Sequence, residues 1–207
     1  MAAAPMPPPE PVTLVGRFVR LEPLTLDHHT DLCAVGLEPA LWRWTWDGAR
    51  TAAELRRYIE TALVEQAAGR SLPFAIVEQA GGRAIGSTRY GNIEPAHRRL
   101  EIGWTWLGAA WRRTACNTDC KLLLLTHAFE ALGYQRVEFK TDALNAPSRA
   151  ALLRIGATEE GTFRKHGITA DGRIRDTVYF SIVDDEWSRV KARLVERLAL
   201  GVLDSTR

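Results

Sequence analysis

Two rhythms of apolar residues run along this chain, one alternating and one helical. From Val12 to Leu24 apolar positions (Val15, Phe18, Leu21) alternate with charged ones, which predicts one or two short strands. Asp27 reads as the cap of a helix reaching about Gly36. Glu38 to Gly48 has no regular period but carries Trp42, Trp44 and Trp46, whose alternate spacing predicts three rings on one side. Thr51 with Glu54 forms a capping box, and Leu55, Ile59 and Leu63 give the following helix one apolar stripe before Gly69 stops it.

The alternating rhythm then returns. Phe74–Glu78 and Ala84–Tyr90 predict a hairpin through Gly81-Gly82, and Leu100–Leu107 predicts a third strand. A helix is expected over Thr118–Leu132, closed by Gly133, then a strand over Arg136–Thr141 and a helix over Ala146–Ile155 closed by Gly156. Ala157–His166 and Ile174–Val183 read as two strands around Ala170-Asp171-Gly172. Asp184 caps a last helix to about Leu200, whose apolar face (Val190, Leu194, Leu198, Val202) could pack on its own sheet or on a second copy in a homodimer. This order predicts an α+β or α/β three-layer domain around one sheet. The unit from Leu100 to Thr141 is expected to be a parallel crossover.

Composition narrows the function classes. The 207 residues, 46% hydrophobic and 25% charged, suit one soluble globular domain. A net charge of +2 with no block of like charge argues against a nucleic-acid partner. Residues 1–11 are Ala/Pro-rich and lack signal-peptide features, so they are read as a disordered leader before a single domain over 12–207. The longest apolar run, Leu122–Leu125, is too short to span a membrane. Three cysteines (Cys33, Cys116, Cys120) without a Cys-x-x-Cys pair suggest a reducing compartment, and a cytoplasmic protein is expected. The scattered histidines suggest no metal site.

The chemistry concentrates between Glu101 and Thr126. A strand breaks there into a short polar turn that opens a helix. Such a turn aims free N–H groups and the positive end of the helix dipole at one spot. With Arg112 and Arg113 at its mouth, the turn suits a phosphorylated ligand.

Several segments in order carry a resemblance: Glu101-Ile-Gly-Trp-Thr-Trp-Leu, Trp111, Ala128-Phe-Glu-Ala-Leu-Gly, Arg136-Val-Glu, Asn145-x-x-Ser148 with Gly156-Ala157, Glu160-Gly-Thr-Phe-Arg164 and Asp171-Gly-Arg-x-Arg-Asp176. Together they resemble the GNAT superfamily of acetyl-CoA-dependent N-acetyltransferases, nearest its RimJ/RimL-like branch. The resemblance implies a mixed, largely antiparallel sheet whose splayed parallel strand pair binds acetyl-CoA.

It places the pyrophosphate on Arg112, Arg113, Thr114, Ala115, Cys116, Asn117 and Thr118. The pantetheine arm falls along the backbone of Trp106 and Leu107. It also assigns Asn145 to cofactor or water, Ser148 to protonation of the departing thiolate, and Trp42, Trp44 and Trp46 to the acceptor pocket. One departure falls on the loop: Ala115 stands where the family has glycine and Asn117 where it has a small residue. Alanine leaves the N–H groups in place, and Asn117 is a good helix cap.

Transfer to an amine requires removal of a proton, since an ammonium has no lone pair, and Glu101 is the candidate base. Strict alternation would put Glu101, Gly103 and Thr105 on one face and Ile102, Trp104 and Trp106 on the other. The competing reading of Glu101 is an ion pair with Arg89, Arg98 or Arg99. The expected reaction is direct attack in a ternary complex through an oxyanion held by strand N–H groups. No metal and no cysteine acyl-enzyme are expected, Cys33 and Cys116 having no His and carboxylate constellation in sequence. The acceptor would be a protein N-terminus or a small-molecule α-amine. The alternative is a non-catalytic acyl-CoA-binding module of the same fold; a nucleotide domain is weaker, because no Gly-x-x-x-x-Gly-Lys-Ser/Thr is present.

Overall fold

A computed structural model describes residues 8–46, 48–169 and 171–204, the last four by backbone alone. Residues 1–7 of the leader expected over 1–11, the turn residue Ala170 and the side chain of Val202 lie outside the described residues. Eight strands form one sheet: β1 (Leu14–Val15), β2 (Val19–Pro23), β3 (Ser71–Glu78), β4 (Ala84–Glu94), β5 (Arg99–Leu107), β6 (Arg136–Asp142), β7 (Thr158–Ile168) and β8 (Ile174–Val183). Their spatial order is β1-β2-β3-β4-β5-β6-β8-β7. Every neighbouring pair is antiparallel except β5 and β6, which run parallel.

Two apolar cores lie on opposite faces of the sheet. The helices α1 (His29–Gly36) and α2 (Ala52–Ala67) cover one face, with Leu32, Leu55, Ile59 and Ala62 against Ala75, Val77 and Trp106. On the other, α3 (Ala115–Thr126), α4 (Ala146–Ile155) and α5 (Asp184–Asp204) bury Cys120, Leu124, Leu152, Ile155, Val190 and Leu194 against Phe74, Ile102, Val137 and Phe180. The apolar stripe of α5 thus packs on its own sheet. Asp119 ties α3 to the start of β2, its Oδ2 accepting from the N–H groups of Phe18 (2.6 Å) and Val19 (3.1 Å). Among the described residues no helix is long and apolar enough to cross a membrane.

Three local expectations are corrected. Asp27 is not a cap: Thr25 starts a 3-10 turn before α1 and forms a capping box with His28. The helix expected from Thr118 begins at Ala115, because the Thr114 side chain accepts from Cys116 N–H and caps it; Asn117 lies inside the first turn. That helix ends in a π-helical segment over His127–Ala131, with Leu132 N–H bonded to His127 O at 2.9 Å.

The third correction decides the site. Trp104 has φ +51°, and four β5 residues from Gly103 to Trp106 oppose three β4 residues from Ser87 to Arg89. This β-bulge inserts one residue and flips the alternation. Ile102 and then Thr105 face α3, Thr105 Oγ1 lying 2.8 Å from Thr88 Oγ1, while Trp104 joins Glu101 and Gly103 on the other face.

Candidate functional site

The β5–β6 ladder lasts only three residues, Arg99–Glu101 against Arg136–Glu138. Beyond it β6 pairs with β8 alone and β5 with β4 alone, so the facing edge of β5 from Ile102 to Leu107 carries backbone groups without a strand partner. The gap opens toward the start of α3, whose first N–H groups lack intrahelical acceptors. Thr114 Oγ1 takes the Cys116 N–H at 3.3 Å and donates to Trp111 O at 2.8 Å. Arg113, at φ +62°, turns the chain into the helix, and among the described residues its exposed side chain has no hydrogen-bond partner. Arg112 braces the turn through Nε to Leu107 O at 3.0 Å and reaches Glu38 at 3.5 Å. Ala115, Asn117 and Thr118 are half-buried and Cys116 is buried, so the open face of this turn is mainly backbone.

Inside the gap lies a residue that the sequence reading passed over. Lys121, on α3, is 5% exposed. Its Nζ donates to Thr105 Oγ1 at 2.9 Å and lies 5.6 Å from the centroid of Phe139 on β6. Burial pushes its pKa down to about 8, against the opposing pull of Cys120 and Glu101. A lysine at the head of the apolar run Leu122–Leu125 was the available signal.

Glu101 is 6% exposed. Its Oε2 accepts from Asn92 and is paired with Lys140 Nζ at 2.8 Å. The ion pair is therefore with Lys140 on β6, not with Arg89, Arg98 or Arg99. Burial alone would push Lys140 down, but the Glu101 carboxylate outweighs it and holds the ammonium above its ordinary value. Oε1 makes no such bond and points to Gly103, where a Cβ would lie 2.8 Å away. Gly103 thus keeps one carboxylate oxygen of Glu101 open.

Asn145 is the N-cap of α4, its Oδ1 accepting from Ser148 N–H at 3.1 Å, and among the described residues the Ser148 hydroxyl makes no hydrogen bond. Both are half-buried where α4 follows β6.

The three tryptophans do not share one side. A turn after the 3-10 residues Pro39–Leu41 sends Trp42 into the core, 6% exposed, with Nε1 donating to Gly36 O at 2.8 Å and its ring on Tyr58 and Trp106. Trp44 and Trp46 instead reach the β7–β8 hairpin: Trp44 stacks near Arg173, and Trp46 lies 4.2 Å from the Arg175 guanidinium and edge-on to His166. Arg175 is in turn fixed by Trp44 O and Thr177.

Thiol chemistry has no support here. The three cysteines are free, and burial raises all three thiols, Cys120 to about 12. Cys33 does have a neighbour that the sequence reading missed, His29 Nε2 at 3.3 Å, but that nitrogen also meets Ala52 O at 2.8 Å and is the donor there. Among the described residues no cluster of His, Cys, Asp and Glu could hold a metal ion.

Comparison with known proteins bears on this arrangement. Residues 19–158 match the family model of the acetyltransferase (GNAT) domain. The chain is 35% identical over 100 residues to YdaF of Bacillus subtilis (strain 168), named as a candidate ribosomal N-acetyltransferase; the match spans 48% of this chain and about half, 54%, of that relative. Among solved structures, a GCN5-related N-acetyltransferase from Brucella melitensis superposes with a TM-score of 0.87 at 34% identity, over 94% of this chain and 88% of that one. RimJ of Mycobacterium smegmatis, solved in complex with CoA-disulfide, gives 0.78 at 25% identity, over 90% and 95%.

Proposed function

The chain belongs to the GNAT acetyltransferase family, and from that premise we propose an acetyl-CoA-dependent N-acetyltransferase of the RimJ/RimL-like branch that acetylates a primary α-amine. The observation that carries this reading is the β5–β6 splay with the capped start of α3 at its mouth. The donor set fits the ligand. Free N–H groups of Ala115 and Asn117 and the Arg113 guanidinium suit a diphosphate, and the unpaired β5 edge suits an amide-bearing pantetheine arm. Ala115 in place of glycine leaves those N–H groups unchanged. The CoA-disulfide bound by the Mycobacterium smegmatis RimJ supports the same ligand here.

Acetyl-CoA, when bound, supplies an activated acetyl thioester. The chain supplies position and proton transfer. Arg112, Arg113 and residues Thr114–Thr118 hold the phosphates, and Trp106 and Leu107 pair with the arm. Glu101 keeps one oxygen on Lys140 and Asn92 and turns Oε1 to the amine, directly or through water, to take its proton. The unengaged Ser148 hydroxyl, placed by the Asn145 cap, donates to the leaving sulfur. Trp44 and Trp46 edge the acceptor side, and Trp42 serves the core beneath it. Three free thiols accord with the reducing, cytoplasmic setting proposed for the protein.

The test is release of free CoA thiol from acetyl-CoA in the presence of small α-amines and N-terminal peptides. Amine-dependent release is the expected result. Tight acetyl-CoA binding with no release on any amine would favour the acyl-CoA-binding module.

A further inference from the structure

Arg89, midway along β4, is 4% exposed and has its Nε buried without a partner. Among the described residues it makes no ion pair. The other buried charged side chains among the described residues are matched: Glu101 with Lys140, Asp119 with backbone N–H groups, Lys121 with Thr105, Glu138 with Arg136, and Asp142 with Arg173 and Arg175. Arg89 instead lies between two rings, 4.5 Å from the centroid of Tyr58 and 5.6 Å from that of Trp104. Ring faces recover only part of what desolvating a guanidinium loses.

The carboxylates around it have other partners, and among the described residues none pairs with Arg89. Glu54 accepts from the N–H groups of Arg50 and Thr51, Glu65 holds Arg70, and Glu101 holds Lys140. The guanidinium meets a cavity of about 180 Å³ that it lines with Gly48, Glu54, Arg57, Tyr58 and Thr61. Two more buried polar groups without partners, Tyr58 Oη and Trp106 Nε1, sit in the same aromatic cluster around Trp42. The cavity wall thus carries two guanidinium groups, Arg89 and Arg57, beside a single carboxylate, Glu54.

Its place relative to the proposed reaction is fixed by register. Arg89 pairs with Gly103 and Gly91 with Glu101, so Arg89 and Glu101 are diagonal neighbours on the same face, about 7 Å apart at the backbone. With both side chains on one face, that separation suits an amine and an anion a few bonds apart.

We infer that Arg89 receives a carboxylate carried by the acceptor, so that the acceptor is a free amino acid or another small amino-carboxylate. This rests on the acetyltransferase reading and narrows its substrate class. Arg89 acts as a specificity residue, its planar fork pairing with two carboxylate oxygens. The bulge at Trp104 belongs to the same device, since it turns that ring onto Arg89.

The test compares L-alanine, L-methionine and L-phenylalanine with their α-amides. The amide has the less basic amine and so more of the reactive neutral form, which biases the comparison against the proposal. In the wild type kcat/KM should favour the acids at least tenfold. In Arg89→Gln that ratio should fall toward one, and in Arg89→Lys to an intermediate value. A wild-type ratio near one, or a ratio that survives Arg89→Gln, overturns the proposal.

A second readout needs no turnover. The Arg89 Nε–Hε NMR signal of the wild type, identified by its loss in Arg89→Lys, should shift with the acids and not with the amides. A shift without acetylation would keep the anion site and remove the transferase reading. Amine-dependent thiol release without a shift would do the reverse.

Discussion

Replacing Lys121 by Met should stabilise the protein near neutral pH and lose that advantage in alkali. The folded-state pKa of about 8 lies below the 10.5 of an unperturbed lysine. That gap corresponds to about 3 kcal/mol. The sign follows from proton counts. Near pH 7 both states hold the proton, and the folded state carries the full penalty of a buried cation. Between about pH 8 and 10.5 the folded protein releases the proton while the unfolded chain keeps it, so stability rises with pH.

Methionine fills a similar volume and removes the penalty, but it loses the bond to Thr105 and the contact with Phe139. Thr105 retains Thr88 as a partner, so the loss is about 1 kcal/mol. The net expectation near pH 7 is a gain of about 2 kcal/mol for Lys121→Met, shrinking to parity near pH 10. Urea unfolding of both proteins at the two pH values reads this difference directly, and other titrating groups cancel. A loss of stability that is equal at both pH values would refute the reasoning, because it would mean a lysine whose charge is fully compensated in the fold.

Two further substitutions probe the proposed donor and acceptor sides. Thr114→Ala removes the cap of α3 and should lower stability by about 1 kcal/mol in urea unfolding, with acetyl-CoA binding about tenfold weaker by titration; unchanged affinity would detach the turn from the cofactor. Glu101→Gln should leave acetyl-CoA affinity within about twofold and lower kcat by about a hundredfold or more, whereas a kcat within a few-fold of wild type would leave Glu101 as the counter-ion of Lys140 only.

Local signals were legible in the sequence and long-range ones were not. The Thr51–Glu54 capping box, Gly133 and Gly156 mark their helix ends because the deciding contacts lie within a turn. The start of α3 was harder, since Thr114 and Asn117 are both good caps; the left-handed Arg113 and the reach of Thr114 to Cys116 N–H choose the first. The bulge at Trp104 is invisible to a reading that assumes strict alternation. It arises from register against β4, and it decides which side chains meet Arg89. Likewise the partners of Glu101 come from β4 and β6, through Asn92 and Lys140. Trp42 and Trp46 differ only in the packing that receives them, a core under α2 for one and the β7–β8 hairpin for the other.

The central claim is that the splay between β5 and β6 and the start of α3 form an acetyl-CoA site. Calorimetric titration with acetyl-CoA, alongside ATP and NAD, tests it most directly. The account predicts one site of micromolar affinity, about −8 kcal/mol, for acetyl-CoA and much weaker heats for the two controls. No measurable binding of acetyl-CoA, or equal binding of ATP, would contradict it and reduce the kinship of this chain to a likeness of fold.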